Sequence, residues 1–133
     1  MNQPRIRCMS FLFGGISKAM RRRKREQKLA AAVQWPTATA KLLKGVLVDK
    51  DELAEGTLAQ DRQIEFPYYF SLEEGFFSGY VRSTACSEGE ARRLEKQVPE
   101  GTEVTVRYNP ANPDEGCVLV RDNPGLMFGV WEG

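Results

Sequence analysis

The chain of 133 residues contains no histidine. That removes the residue most often used as a general base at neutral pH, so a hydrolase triad here would need a Lys or a carboxylate in its place. It also removes the usual nitrogen ligands for zinc. Cysteine is scarce as well: Cys8, Cys86 and Cys117 are scattered and form no Cys-x-x-Cys pair. Three such residues make neither a disulfide framework nor a metal knuckle, so a reducing compartment is the expectation. Without an activating base, Cys86 and Cys117 read as small buried hydrophobes rather than nucleophiles.

Long apolar runs are missing too. "CMSFLFGGI", Cys8 to Ile16, is nine residues, and a spanning helix needs about twenty. Lys18 and then "RRRKR" follow it, where a signal peptide would show small residues at a cleavage site. The segment is expected neither to be secreted nor to span. "LMFGVW", Leu126 to Trp131, is likewise too short to cross a bilayer.

What the chain does have is an uneven distribution of charge. Met1 to Lys28 holds nine Lys/Arg against one acid, Glu26, or roughly +8; the remainder holds ten basic and seventeen acidic residues, roughly −7; together they give the net +1. A basic arm on an acidic body points to a tail with an anionic partner. Its cations are Lys18, Arg21, Arg22, Arg23, Lys24, Arg25 and Lys28. Phe11, Leu12, Phe13 and Ile16 precede them, and Leu12, Phe13, Ile16 and Met20 share one face at helical spacing. The helix is expected over Ser10 to Val33. Gly14 and Gly15 weaken its start, and Trp35-Pro36 ends it because a residue before proline is driven out of the α region.

The body begins at Trp35. "TATAKLLKGVLV", Thr37 to Val48, reads as one strand bent at Gly45, followed by a polar loop from Asp49 to Asp61. From Ile64 to Leu72 apolar and polar residues alternate strictly, the pattern of a half-buried strand. Pro67 cannot donate to a ladder, so this strand should lie at an edge or itself carry a bulge there. Glu73-Glu74-Gly75 turns the chain, with Gly75 at positive φ, into a strand from Phe76 to Ser83. Ser87 and Glu90 have capping-box spacing ahead of a helix with Ala91, Leu94 and Val98 on one stripe. Glu103 to Tyr108 is a fourth strand and Cys117 to Arg121 a fifth. The two Asn-Pro pairs between them read as a stiff reversal that sets their register.

The expected fold is therefore mainly β with one short helix. It is a small five-stranded barrel, OB-like or SH3-like, in the order β-β-β-α-β-β and preceded by a basic helix. Three parts follow: a basic amphipathic arm over residues 1–34, a β domain over 35–121 and a tail over 122–133.

Trp35-Pro36-Thr37-Ala38, the hairpin "YYFSLEEGFFSG", and "PEGTEVTVRYNPANP" leading into "CVL" resemble the bacterial domain of unknown function (DUF) 3592 family. The resemblance covers about Trp35 to Arg121, and Pro99 to Pro113 carries its most specific pattern. It implies a fold unit and no catalytic residues, since the family has no established activity. Flanking transmembrane helices are common in that family, which implies work at or near a membrane; here the flanks are short and one is highly basic. Cys117 stands where the family more often has Ser, in keeping with a packing role.

No catalytic, cofactor or metal residues are assigned. "DKDELAEG" matches a calcium loop only at its first residues, since Leu53 and Ala54 occupy positions that need a ligand and a glycine. "FGGISK" lacks P-loop spacing. The expected function is that of a non-enzymatic protein-interaction or membrane-peripheral module. Its partner would be a protein or an anionic membrane surface, and its place the cytoplasm, either free or peripheral at the inner face of the membrane. The alternatives are a nucleic-acid-associated OB-like protein and an unrecognised enzyme. The acidic body counts against nucleic acid, because a barrel that tracks phosphates should be basic. Tyr68, Tyr69, Phe70, Phe76, Phe77 and Tyr80 are accordingly expected in the core and in cross-strand pairs, not as stacking platforms.

Overall fold

The computed structural model of the chain describes residues 14–51 and 61–126. Two compact units divide it, Met1–Ala31 and Ala32–Gly133. The first contains helix α1, Gly14–Ala32, which closes on the boundary. Straight-chain Arg, Lys, Glu and Gln with Ala fill its second half, all of them good helix formers. The chain leaves the helix before Trp35-Pro36, as proline requires.

The second unit is mainly β. Its strands are β1 (Thr37–Leu42), β2 (Val46–Asp49), β3 (Arg62–Leu72), β4 (Gly75–Arg82), β5 (Glu103–Asn109) and β6 (Asn112–Cys117), with helix α2 (Glu88–Gln97) between β4 and β5. One six-stranded sheet runs β2-β3-β1-β5-β6, with β4 on the opposite edge of β3. It curls into a half-barrel around the core. The strands number six rather than five, and two of the sequence-based boundaries change.

The first change is at Gly45. The predicted single strand is two strands, and both pair with β3 on the same edge. Between Leu42↔Tyr68 and Val46↔Glu65, three residues, Leu43, Lys44 and Gly45, face two, Pro67 and Phe66. That is a bulge, and its cause is chemical. Leu43 N donates to Pro67 O at 2.7 Å, but Pro67 has no N–H to return the bond. Proline in β3 is thus tolerated by a bulge on the neighbouring strand, not by an edge position. Gly45 fits the backbone against the Phe66 ring, where a Cβ would lie 2.6 Å from Cε1.

The second change is at the Asn-Pro pairs. The reversal is shorter than Asn109 to Gly116, because β6 already begins at Asn112. Asn109 Oδ1 accepts from Ala111 N at 3.0 Å, and Asn109 Nδ2 donates to Glu115 Oε1 at 2.8 Å. These bonds hold a turn centred on Pro110-Ala111. The register then shifts at Tyr108/Asn109, which accommodates Pro113 without a ladder donor. The predicted fifth strand, Cys117 to Arg121, is not one beyond Cys117. Val118 is buried instead, and Val120–Asp122 form a short 3-10 turn.

The core lies against the inner face of β3. Ile64, Phe66, Tyr68 and Phe70 alternate inward, joined by Ala40, Leu42, Val81, Val104, Val106 and Val118. The Phe70 ring packs 5.6 Å from Tyr108 and 5.9 Å from Phe77 between centroids. Helix α2 covers one part of the core with Ala91 and Val98, and Leu94 packs beside them. Its capping box is formed: Glu90 N donates to Ser87 Oγ and Ser87 N to Glu90 Oε1. Gly75 closes the β3–β4 hairpin at φ +142°.

Strands β4 and β6 face each other without a hydrogen-bonded ladder among the described residues. The Tyr68 phenol fills the space between them. A Cβ on Gly79 of β4 would lie 2.5 Å from its Oη, and one on Gly116 of β6 2.6 Å. Both glycines are therefore there for volume. Burial pushes the Tyr68 phenol well above its ordinary pKa, so it stays neutral.

Candidate functional site

The seven cations of the arm all lie on α1. At 100° per residue, Lys18, Arg21, Arg22, Arg25 and Lys28 fall within a sector of roughly 120°. Arg23 and Lys24 fall outside it, on either side of the line through Met20 and Gln27. Arg21, Arg22, Arg23 and Lys24 are exposed; Lys18, Arg25 and Lys28 are half-buried. Met20 is 55% exposed. The helix thus presents an apolar side chain between two flanking cations, with further cations behind it. Ile16 lies one turn before Met20. Its side chain, and all of Phe11, Leu12 and Phe13, lie outside the described residues. So do Cys8, most of the predicted loop from Asp49 to Asp61, and the tail beyond Leu126.

The body holds two polar arrangements that the sequence did not signal. In one, Gln63 and Ser83 are buried. Gln63 Nε2 donates to Ser83 O at 2.7 Å, and Gln63 Oε1 accepts from Asp51 N at 3.0 Å. Ser83 Oγ accepts from Ile64 N and donates to Thr84 O. With these bonds satisfied, the pair ties β3 to the segment after β4. Cys86 Sγ lies 4.0 Å from Ser83 Oγ, and burial pushes its thiol up, away from thiolate chemistry. Cys117 is also buried.

The other arrangement is a clamp. Arg107 on β5 donates through Nε and Nη2 to the two carboxylate oxygens of Asp122, at 2.8 and 3.0 Å. Its Nη1 donates to the carbonyls of Val33 and Trp35. One guanidinium therefore fixes the chain where it enters and where it leaves the β sheet. The Arg107 bonds hold the Asp122 carboxyl below the usual range.

Tyr68 and Phe70 are buried and Phe77 packs beside the core, as expected. Tyr69, Phe76 and Tyr80 do not join the core; they are 40%, 80% and 49% exposed. Each sits at the outward position of its strand, a consequence of the two-residue period. Tyr69 stands opposite Ser78, Phe76 opposite Ser71 and Tyr80 opposite Pro67, so they are not aromatic cross-strand pairs.

Among the described residues, no group of three or more His, Cys, Asp or Glu converges as a metal site. No helix among them is long and apolar enough to cross a membrane.

Residues 61–123 match the model of a family described as "Domain of unknown function (DUF3592)". The matched segment runs from the start of β3 through α2, β5 and β6 to the 3-10 turn, just under half of the chain. It contains Gly75, the capped helix, the Asn-Pro reversal and both members of the Arg107–Asp122 pair. Helix α1, β1 and β2 precede it. No curated protein and no solved structure matches the chain.

Proposed function

We propose that this protein is a non-enzymatic peripheral module that binds an anionic membrane surface through α1, at the cytoplasmic face, and presents its β domain there to other proteins. The observation that carries the reading is the exposed run Arg21, Arg22, Arg23 and Lys24 on a helix whose neighbouring Met20 is also exposed. Near an anionic bilayer each cation contributes about 1 kcal/mol. Halved for imperfect placement, seven contribute about 3–4 kcal/mol. Burial of apolar side chains from the Phe11–Ile16 stretch adds to this, at ~1.5–3 kcal/mol for each one fully buried. Two weak signals of this kind suffice for reversible binding. The flanking of Met20 by Arg23 and Lys24 suits a helix lying in the interface, with long cationic side chains reaching to the headgroups.

Vesicle sedimentation of the full chain tests the reading. Binding should require anionic lipid and weaken with salt, because the attraction is screened within about 8–10 Å at physiological ionic strength. Changing Arg21, Arg22, Arg23 and Arg25 to Gln should remove most of it. Changing Phe11 and Phe13 to Ser should weaken it separately. Duplex DNA is the control: equal binding to DNA and vesicles, insensitive to the Phe changes, would reduce the arm to a generic polycation.

A further inference from the structure

Helix α1 and Val120 aside, every large hydrophobic side chain among the described residues that is strongly exposed sits on one face of the sheet. These are Leu43, Val46, Tyr69, Phe76 and Tyr80. The pairing places them together. Leu43 lies beside Pro67 through the bond of its N to Pro67 O, and Pro67 pairs with Tyr80. Lys41 pairs with Tyr69, which pairs with Ser78; Ser71 pairs with Phe76; Val46 pairs with Glu65. Directly opposed residues share a face. The rows Val46–Glu65–Arg82, Leu43–Pro67–Tyr80, Lys41–Tyr69–Ser78 and Ser71–Phe76 are therefore consecutive on the outside of the half-barrel. The strip ends in an ion cluster, Arg82 Nε on Glu65 Oε1 at 2.9 Å and Nη1 3.8 Å from Asp51 Oδ2, with the guanidinium 5.2 Å over the Tyr80 ring.

We infer that this strip, centred on Phe76, Tyr69 and Tyr80, is a second lipid-contacting surface, seated at the headgroup–acyl boundary of the same membrane that α1 binds. The inference rests on the reading of α1 given above. Three features select a bilayer. The face is the outer, convex side of a curled sheet, and small ligands and peptides take concave sites. Three strands by six residues span roughly 15 Å by 20 Å, about 300 Å². A stable homodimer needs about 800 Å² from each partner. The chemistry is also interfacial: amphipathic tyrosines and a protruding phenylalanine sit beside the exposed amines of Lys41 and Lys44, which reach toward phosphate. Glu73 and Glu74, in the turn beside Phe76, give the strip no net attraction to anionic lipid. Its contribution is thus apolar and insensitive to salt, unlike that of the arm.

The test uses the full chain and phosphatidylcholine vesicles with and without phosphatidylserine. Phe76→Ser should lower partition onto the phosphatidylserine vesicles about tenfold, the effect of losing a partly inserted phenyl ring. Phe76→Leu should retain most of it. The part lost in Phe76→Ser should be the part that survives high salt in the unaltered protein. Because Phe76 is 80% exposed, circular dichroism should show both variants folded. Tyr69→Ser repeats the measurement at an independent position. If the arginine changes in α1 abolish binding while Phe76→Ser and Tyr69→Ser leave it untouched, the strip inference falls and the reading of α1 stands. If the unaltered protein ignores both vesicles, both fall. If Phe76→Ser changes only the sedimenting mass of the free protein, the strip binds a second copy and the lipid assignment is overturned.

Discussion

Arg107 holds Asp122 by two parallel charge-assisted bonds while its remaining nitrogen grips the carbonyls of Val33 and Trp35. The carboxyl is held below its ordinary range, chiefly by those bonds. A group whose folded pKa is depressed contributes stability above its unfolded value, near 3.9 for Asp, and loses it as pH falls through the folded value. Denaturation midpoints should therefore drop as pH falls from about 4 toward the lower folded pKa of Asp122. Asp122→Asn should lower the midpoint at pH 7 and flatten that acid limb. A variant with an unchanged acid limb would show that other carboxylates govern it.

The same clamp sets where the body starts. A fragment from Ala32 to Gly133 keeps both carbonyls that Arg107 binds and should melt cooperatively. A fragment starting at Thr37 loses both and should melt lower. An unfolded Ala32 fragment by circular dichroism, beside a folded full chain, would move the boundary into α1.

A Cβ would meet nothing at Gly75 and only an ordinary contact with Ser87 Oγ, at 4.0 Å, at Gly89, yet their substitution should differ in sign. Gly75 sits at φ +142°, so Gly75→Val should cost on the order of 1–2 kcal/mol through backbone strain alone. Gly89 lies within α2, so Gly89→Ala should stabilise by about 0.5–1 kcal/mol. Urea denaturation measures both. Equal effects would mean the hairpin tolerates a relaxed turn.

Gly116→Ala should cost about 1–3 kcal/mol, the usual penalty of overpacking. Its nearest obstacle is the Tyr68 Oη, with Val106 and the Arg107 carbonyl at 3.2 and 3.3 Å. Removing that oxygen in Tyr68→Phe should recover part of the loss. Gly79→Ala should not be recovered, because the Tyr68 Cζ lies 2.6 Å from the added carbon as well. A double-mutant cycle for each pair distinguishes the two cases.

The elements that could be read from sequence were those whose cause is local. The alternation from Ile64 to Leu72, the Ser87–Glu90 box and the glycine after Glu73-Glu74 each determine structure within a few residues, and each is in place. The β1–β2 break was not readable from Thr37 to Val48, because its cause is Pro67, some twenty residues on and recognisable only once the two strands pair. β6 was misplaced for a similar reason: "NPDEGC" has no alternation of its own and becomes a strand through pairing with β5. At the candidate site the charges of α1 were plain in sequence. The outward aromatics were not separated from the inward ones, because "GFFSGYV" shows its face only when Gly79 is seen making room for Tyr68. The Arg107 clamp joins residues more than seventy apart and left no local signal.

The meeting of β4 and β6 across the Tyr68 phenol has a consequence for how the protein fails. Among the described residues, the other strand pairs of the sheet are zipped by main-chain bonds, whereas this seam is held by side-chain packing. Parting it would cost no strand ladder among the described residues and would bare two unzipped strand borders at once. Those borders could be completed by the corresponding strands of another molecule as readily as by each other. Association under mild heating should therefore begin at this seam, with the Tyr68 phenol becoming accessible to solvent before the β3 amides lose hydrogen-exchange protection. Any change that loosens the phenol between its two glycines should make reciprocal exchange between molecules faster.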